Sequence, residues 1–185
     1  MEAVTHKTRR GFSLIEAAIV LAVVGAVIGG IWSAASAVRE NQKQSATEEM
    51  IILAVNKMRN ILKNVHDDTY PDSYIFDNVA VGVGAIPSNK LTPYGIIRIS
   101  NESEYGGNDF AISLSGINKG ACYRIVKKFS DNAQNYSLSR VVIYNADTGA
   151  GSSIIADNSS FPISQANLDK CQDVGGRIAL QFNWN

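Results

Sequence analysis

From Phe12 to Val38 the chain runs through 27 residues with one formal charge, Glu16. About 20 apolar residues suffice to cross a bilayer as a helix. A chain carrying this run must therefore bury it in lipid or in an assembly. A lone carboxylate in hydrocarbon costs on the order of 3 kcal/mol or more unless it finds a partner. Either Glu16 sits near the headgroups and snorkels to water, or a positive charge comes to it.

The flanks narrow the choice. Met1 to Gly11 is short and polar, with Lys7, Arg9 and Arg10 against Glu2. Basic residues before an apolar run hold that end in the cytoplasm. A secretory signal has a shorter apolar core and a small-residue cleavage site after it, and this run is too long and lacks a convincing one. Gly25 and Gly29 form a GxxxG spacing, with Gly30 beside it. This permits close helix contact in lipid, although ordinary membrane-helix glycine explains it equally well. Trp32 fits an interfacial anchor or packing in a helix bundle.

The helix is expected to continue beyond the apolar run. No Pro or Gly occurs from Arg39 to Val65. Polar residues dominate from Arg39 to Glu49. Then Ile51, Ala54 or Val55, Met58, Ile61 or Leu62, and Val65 recur at three to four residues, one apolar stripe of an amphipathic helix. Met50 and Met58 read as packing residues. A single helix from about Phe12 to Val65 would be on the order of 80 Å long. His66 to Asp72 ends it; the acids there do not match a calcium loop and read as a solvated loop. Tyr74 to Asn108 reads as loop-rich, with short apolar pieces at Tyr74–Val79 and Gly95–Ile99. Gly82-Val83-Gly84 is a lone GxG without a phosphate-binding fingerprint.

The remainder reads as strands and short helices. Phe110 to Gly116 alternates as a strand. Asn118 can cap a short helix through about Phe129, with Cys122, Ile125, Val126 and Phe129 on one side. Ser137–Tyr144 and Ile154–Ala156 read as strands, and Ser164 or Asn167 can start a short helix leading to Cys171. Ile178, Leu180, Phe182 and Trp184 alternate with Ala179, Gln181 and Asn183, as in a half-buried strand. Asn135-Tyr136-Ser137, a glycosylation-like triplet, reads only as a surface loop.

Composition excludes several functions. The 17 basic and 17 acidic residues balance, which gives no sign of a nucleic-acid binder. No nucleophile motif, metal cluster or cofactor fingerprint emerges, so neither an enzyme, a metal nor a cofactor is expected. Cys122 and Cys171 fit no zinc spacing; they are two buried thiols, or one bridge if the region lies outside the cytoplasm.

The stretch Arg9-Arg10-Gly11-Phe12-Ser13-Leu14-Ile15-Glu16, followed by the apolar run, resembles the processing site of type IV prepilins and pseudopilins. The resemblance implies cleavage by prepilin peptidase between Gly11 and Phe12, and N-methylation of Phe12. Glu16 then lies one helical turn from the new terminus, on the same face as Phe12. In a staggered bundle it can meet the ammonium on Phe12 of a neighbouring subunit, which removes an unpaired charge from an apolar interior. The chain has no proline in this helix, as is more usual in the type IVb branch, so Gly29-Gly30 is the candidate place for local unwinding in a filament.

A second resemblance is to the disulfide-bounded region of type IVb pilins. It rests on Phe110-Ala111-Ile112-Ser113 with Gly116 and Cys122, and on Leu168-Asp169-Lys170-Cys171 with Ile178 to Phe182. It implies a Cys122–Cys171 bridge closing a loop of about 50 residues, worth roughly 4 kcal/mol. The 11-residue leader and Phe12 as first mature residue depart from that branch.

The expected fold is therefore α+β, of type IV pilin type: a long N-terminal helix on an antiparallel sheet head with one disulfide. Its expected parts are a leader over 1–11, a membrane or filament-core helix over 12–38, and an amphipathic continuation over 39–65. A connecting region over 66–109 and the sheet and disulfide region over 110–185 follow. The expected function is a pilus subunit. Its partners are copies of itself in a homopolymer, prepilin peptidase, the inner-membrane assembly platform and the membrane. The head would be periplasmic before assembly and extracellular in the fibre. Adhesion, aggregation, motility and conjugation are the roles the resemblance implies. The alternatives are a pseudopilin of a type II secretion system and a membrane-anchored binding module that never polymerises.

Overall fold

Helix α1 runs from Leu14 to Leu62, and its two halves live in different surroundings. The computed structural model describes residues 13–63, 73–101, 109–145, 152–157 and 160–183. They fall into two units divided after Asn41. In the first unit every described residue from 13 to 39 is exposed. In the second, α1 turns Ile51, Ala54, Val55, Met58 and Leu62 into the core. That is the stripe read from the three-to-four spacing. Val65 and the His66–Asp72 segment lie outside the described residues.

The core face of the head is set by a five-stranded antiparallel sheet in the order β1-β2-β5-β3-β4. The strands are β1 (Ile96–Asn101), β2 (Asp109–Ser115), β3 (Leu138–Asn145), β4 (Ser152–Asp157) and β5 (Val174–Asn183). The register aligns Phe110 with Phe182, Ile112 with Leu180 and Leu114 with Ile178. Ile99 and Ile97 continue two of these rows on β1, and Val141 and Ile143 continue them on β3. Because side chains alternate along a strand, these rows form one apolar face. They share a cluster with the α1 stripe and with Ile125, Val126 and Phe129 of helix α3 (Lys119–Asp131). Phe182 meets Phe129 edge-on at 6.1 Å, a favoured aromatic arrangement.

The last strand differs from its half-buried reading. Ala179 and Gln181 are buried too. β5 is the central strand, and these residues lie opposite Val142 and Arg140 on one side and Ser113 and Ala111 on the other. With a paired strand on each side, they lose solvent among their cross-strand neighbours, of which Ala111, Ser113 and Val142 are themselves buried.

The stretch from Tyr74 to Asn108 is also corrected. It contains a helix, α2 (Ser73–Gly82), and the edge strand β1. Ten helical residues are too few to display a clear period. What fixes α2 is tertiary: Phe76 and Ala80 are buried, and buried Asp77 accepts the Ile99 N–H at 3.1 Å and pairs with Lys90. A buried carboxylate is tolerated when it is hydrogen-bonded and paired.

Helix α3 begins as its sequence suggests. Asn118 is the N-cap, and its side chain accepts from the Ala121 N–H at 2.8 Å. Two short helices, α4 (Ala133–Tyr136) and α5 (Gln165–Leu168, N-capped by Ser164), and a 3-10 turn (Asp169–Asp173) complete the head.

Two residues of the polar stretch of α1 from Arg39 to Glu49, Thr47 and Glu48, are buried. Each is satisfied: Thr47 Oγ1 donates to the Lys43 carbonyl at 2.9 Å. Glu48 accepts from Gln44 Nε2 at 2.7 Å and pairs with Lys128 of α3. Lys128→Ala is expected to leave the Glu48 carboxylate with one donor. Because Lys128 is partly exposed, the loss is set at about 1–2 kcal/mol. Thermal unfolding followed by circular dichroism checks it: a fall of several degrees is expected, with recovery in Lys128→Arg.

Candidate assembly site at the N-terminal helix

The helix start is built by two side chains. The Ile15 N–H donates to Ser13 Oγ at 3.2 Å, and the Ser13 N–H donates to Glu16 Oε2 at 3.0 Å. This is the reciprocal arrangement of a capping box, in which Ser and an acid three residues later satisfy otherwise orphaned donors. Its sequence signature, Ser13-Leu14-Ile15-Glu16, was legible, but reading Glu16 only as a charge in hydrocarbon passed it over. A cap of this kind is worth about 1 kcal/mol. Glu16 Oε1 has no partner among the described residues, so the carboxylate can hold the helix start and still accept a further donor. Gly11 and Phe12 lie outside the described residues.

Beyond Glu16 the helix offers an unbroken apolar surface. Leu14, Leu21 and Trp32 are 70% exposed or more. Among the described residues α1 is the one helix long and apolar enough to span a bilayer, and none of its apolar window is buried. A core helix of a soluble protein would be mostly buried. A Cβ added at Gly25, Gly29 or Gly30 would meet nothing within 4 Å. Within one chain these glycines hold no close contact, and their face is open for a neighbouring helix.

In the head, Cys122 of α3 and Cys171 of the 3-10 turn form a disulfide, 49 residues apart in sequence, with both residues buried. The α1 helix is clamped to the sheet end by Arg59. Its Nε donates to the Asn183 carbonyl at 3.1 Å, and its Nη2 donates to the Tyr136 carbonyl. Burial lowers the Arg59 pKa below its usual value. Nothing in the sequence pointed to this contact, which joins residues 124 positions apart.

An exposed apolar helix with an acid in its first turn, leading into an α+β head closed by one disulfide, defines a pilin-like fold. Residues 6–32 match the family profile described as the prokaryotic N-terminal methylation motif. The chain thus carries the signature of type IV prepilins, which supports a pilin-like or pseudopilin protein and points to a structural role rather than to catalysis. No significant match is found among curated proteins. The motif and the apolar helix fit membrane anchoring before assembly.

Proposed function

We propose that the chain is the structural subunit of a type IV pilus. Prepilin peptidase cuts it between Gly11 and Phe12 and methylates Phe12. The mature chain waits in the inner membrane with its head in the periplasm. The assembly platform then stacks the apolar helices into a homopolymer with the heads outside. In the stack, Glu16 of one subunit takes the Phe12 ammonium of another.

The observation that carries this reading is the methylation signature at residues 6–32, whose part from Leu14 onward lies on a helix with a wholly exposed apolar window. Such a surface needs lipid or other copies to cover it. The disulfide in the head favours a pilus over a type II secretion pseudopilin, since it suits a domain facing load and proteases outside the cell.

Sheared surface fibres, analysed by mass spectrometry, test the proposal. The expected result is fibres whose subunit begins at N-methylated Phe12. A subunit retaining Met1 and found only in membranes would support a non-polymerising anchor instead.

A further inference from the structure

The sheet has a second face, turned away from the core cluster, and assembly through the N-terminal helix makes no use of it. Side chains alternate along a strand, so this face is read from the residues between the core rows. One row runs Ile96, Ser115, Arg177, Tyr144 across β1, β2, β5 and β3. The next runs Arg98, Ser113, Ala179, Val142. Ser113, Ala179 and Val142 are buried, so the second row is a floor of short side chains with Arg98 at its edge.

Two kinds of group stand out from this floor. Arg98 and Arg177 are both exposed. Arg98 makes no hydrogen bond or ion pair among the described residues. The Arg177 guanidinium lies over the Tyr144 ring, 4.3 Å from its centroid; that contact holds the cation in place without neutralising it. Neither row contains an Asp or Glu, and their continuations on β4, Ser152 and Ile154, add none. The chain as a whole has a formal net charge of zero, so the excess is local to this face. The two arginines are two strands and two residues apart, about 12 Å between Cα atoms. Beside them stand exposed aliphatic side chains, Ile96 at 43% and its bridge partner Leu91 at 50%.

Arginine, aliphatic side chains and a tyrosine on one flat face make the composition of a surface that works at a lipid headgroup layer. Guanidinium groups pair with phosphate oxygens, aliphatic groups enter the acyl boundary, and tyrosine is enriched at that depth. A nucleic-acid strand would leave Leu91 and Ile96 uncovered, and Tyr144 already has one ring face taken by Arg177, so it is a poor stacking platform. We propose that this face of the head docks on an anionic phospholipid bilayer through Arg98 and Arg177, with Leu91 and Ile96 entering between headgroups. Each arginine near such a surface strengthens attachment about fivefold. In the anchored chain the head is tethered to the bilayer, so even a weak attraction acts at high effective concentration. The inference rests on membrane anchoring and not on the pilus reading.

The test uses the full-length chain in lipid nanodiscs, with discs of phosphatidylcholine alone compared with discs in which a third of the lipid is phosphatidylglycerol. Arginines are labelled with a dicarbonyl reagent, and the rate at each is read by peptide mass spectrometry. Labelling of Arg98 and Arg177 is expected to slow at least fivefold in the anionic discs, and high salt should reverse the effect. Arg124 of α3, on another face of the head, should be labelled at the same rate in both discs. Arg98→Gln, at an exposed side chain without a partner, should leave thermal stability unchanged and restore most of the lost labelling at Arg177. Equal rates at Arg98 and Arg177 in the two lipids, or equal slowing at Arg124, overturns the proposal. So does protection by added single-stranded DNA with none from the anionic discs, which would assign the face to a nucleic acid. A chain missing from the disc fraction would overturn the anchoring itself and this inference with it. Fibre formation is scored separately, so equal labelling in the two discs leaves the pilus reading intact.

Discussion

Removing the Cys122–Cys171 bridge is expected to cost the head roughly 4 kcal/mol, the loop-entropy value for a closed loop of about 50 residues. The ground for expecting the full value lies in what the bridge connects. Cys122 is in α3, inside the core cluster with Ile125, Val126 and Phe129. Cys171 is in a five-residue 3-10 turn that follows a four-residue helix. These pieces have few ladder hydrogen bonds of their own. The chain after Cys171 enters β5 within three residues, and β5 is the central strand that pairs with both β2 and β3. Loosening Cys171 therefore frees the entry to the strand on which the sheet is built. The double variant Cys122→Ala, Cys171→Ala avoids leaving thiols that could recombine, and it should melt about 10–15 °C below the parent. Melting within two degrees of the parent would show that packing around α3 and the 3-10 turn, rather than the covalent link, holds this region. Non-reducing peptide mapping of exported protein should recover the two cysteines in one linked pair.

The parts of the fold that were legible are those whose signal is local. The stripe Ile51, Ala54, Val55, Met58 and Leu62, the Asn118 cap and the alternation in β2 each depend on residues within a turn or two of one another. What was not legible depends on distant partners. Glu48 reads as one more residue of the polar stretch Arg39–Glu49 until Lys128, 80 residues later, is folded against it. Asp77 looks like loop until the Ile99 N–H reaches it. Ala179 and Gln181 read as the wet side of a strand because alternation says nothing about which strand is central. At the candidate assembly site the failure was of another kind. The charge of Glu16 dominated the reading, and its second use, as acceptor for the Ser13 N–H, went unread although it is written in four consecutive residues.

That second use sets up the sharper experiment on assembly. Glu16→Ala removes both the cap and the charge, and so cannot say which matters. Glu16→Gln keeps an amide oxygen able to accept the Ser13 N–H and removes only the charge. The two contributions differ in size: the cap is worth about 1 kcal/mol. An ammonium on Phe12 left without its counterion in an apolar fibre core costs on the order of 3 kcal/mol. Breaking a buried pair from one side is also costlier than never having had it. Both variants are therefore expected to be processed and to insert in the membrane, and both to lose fibre yield by at least tenfold. Yield is measured as sheared subunit per membrane subunit by mass spectrometry. Fibre yield restored in Glu16→Gln but not in Glu16→Ala would assign the role of Glu16 to the helix start and remove the ammonium pairing from the account. Equal loss in the two would leave the missing charge as the only difference they share with respect to the parent that the cap does not explain.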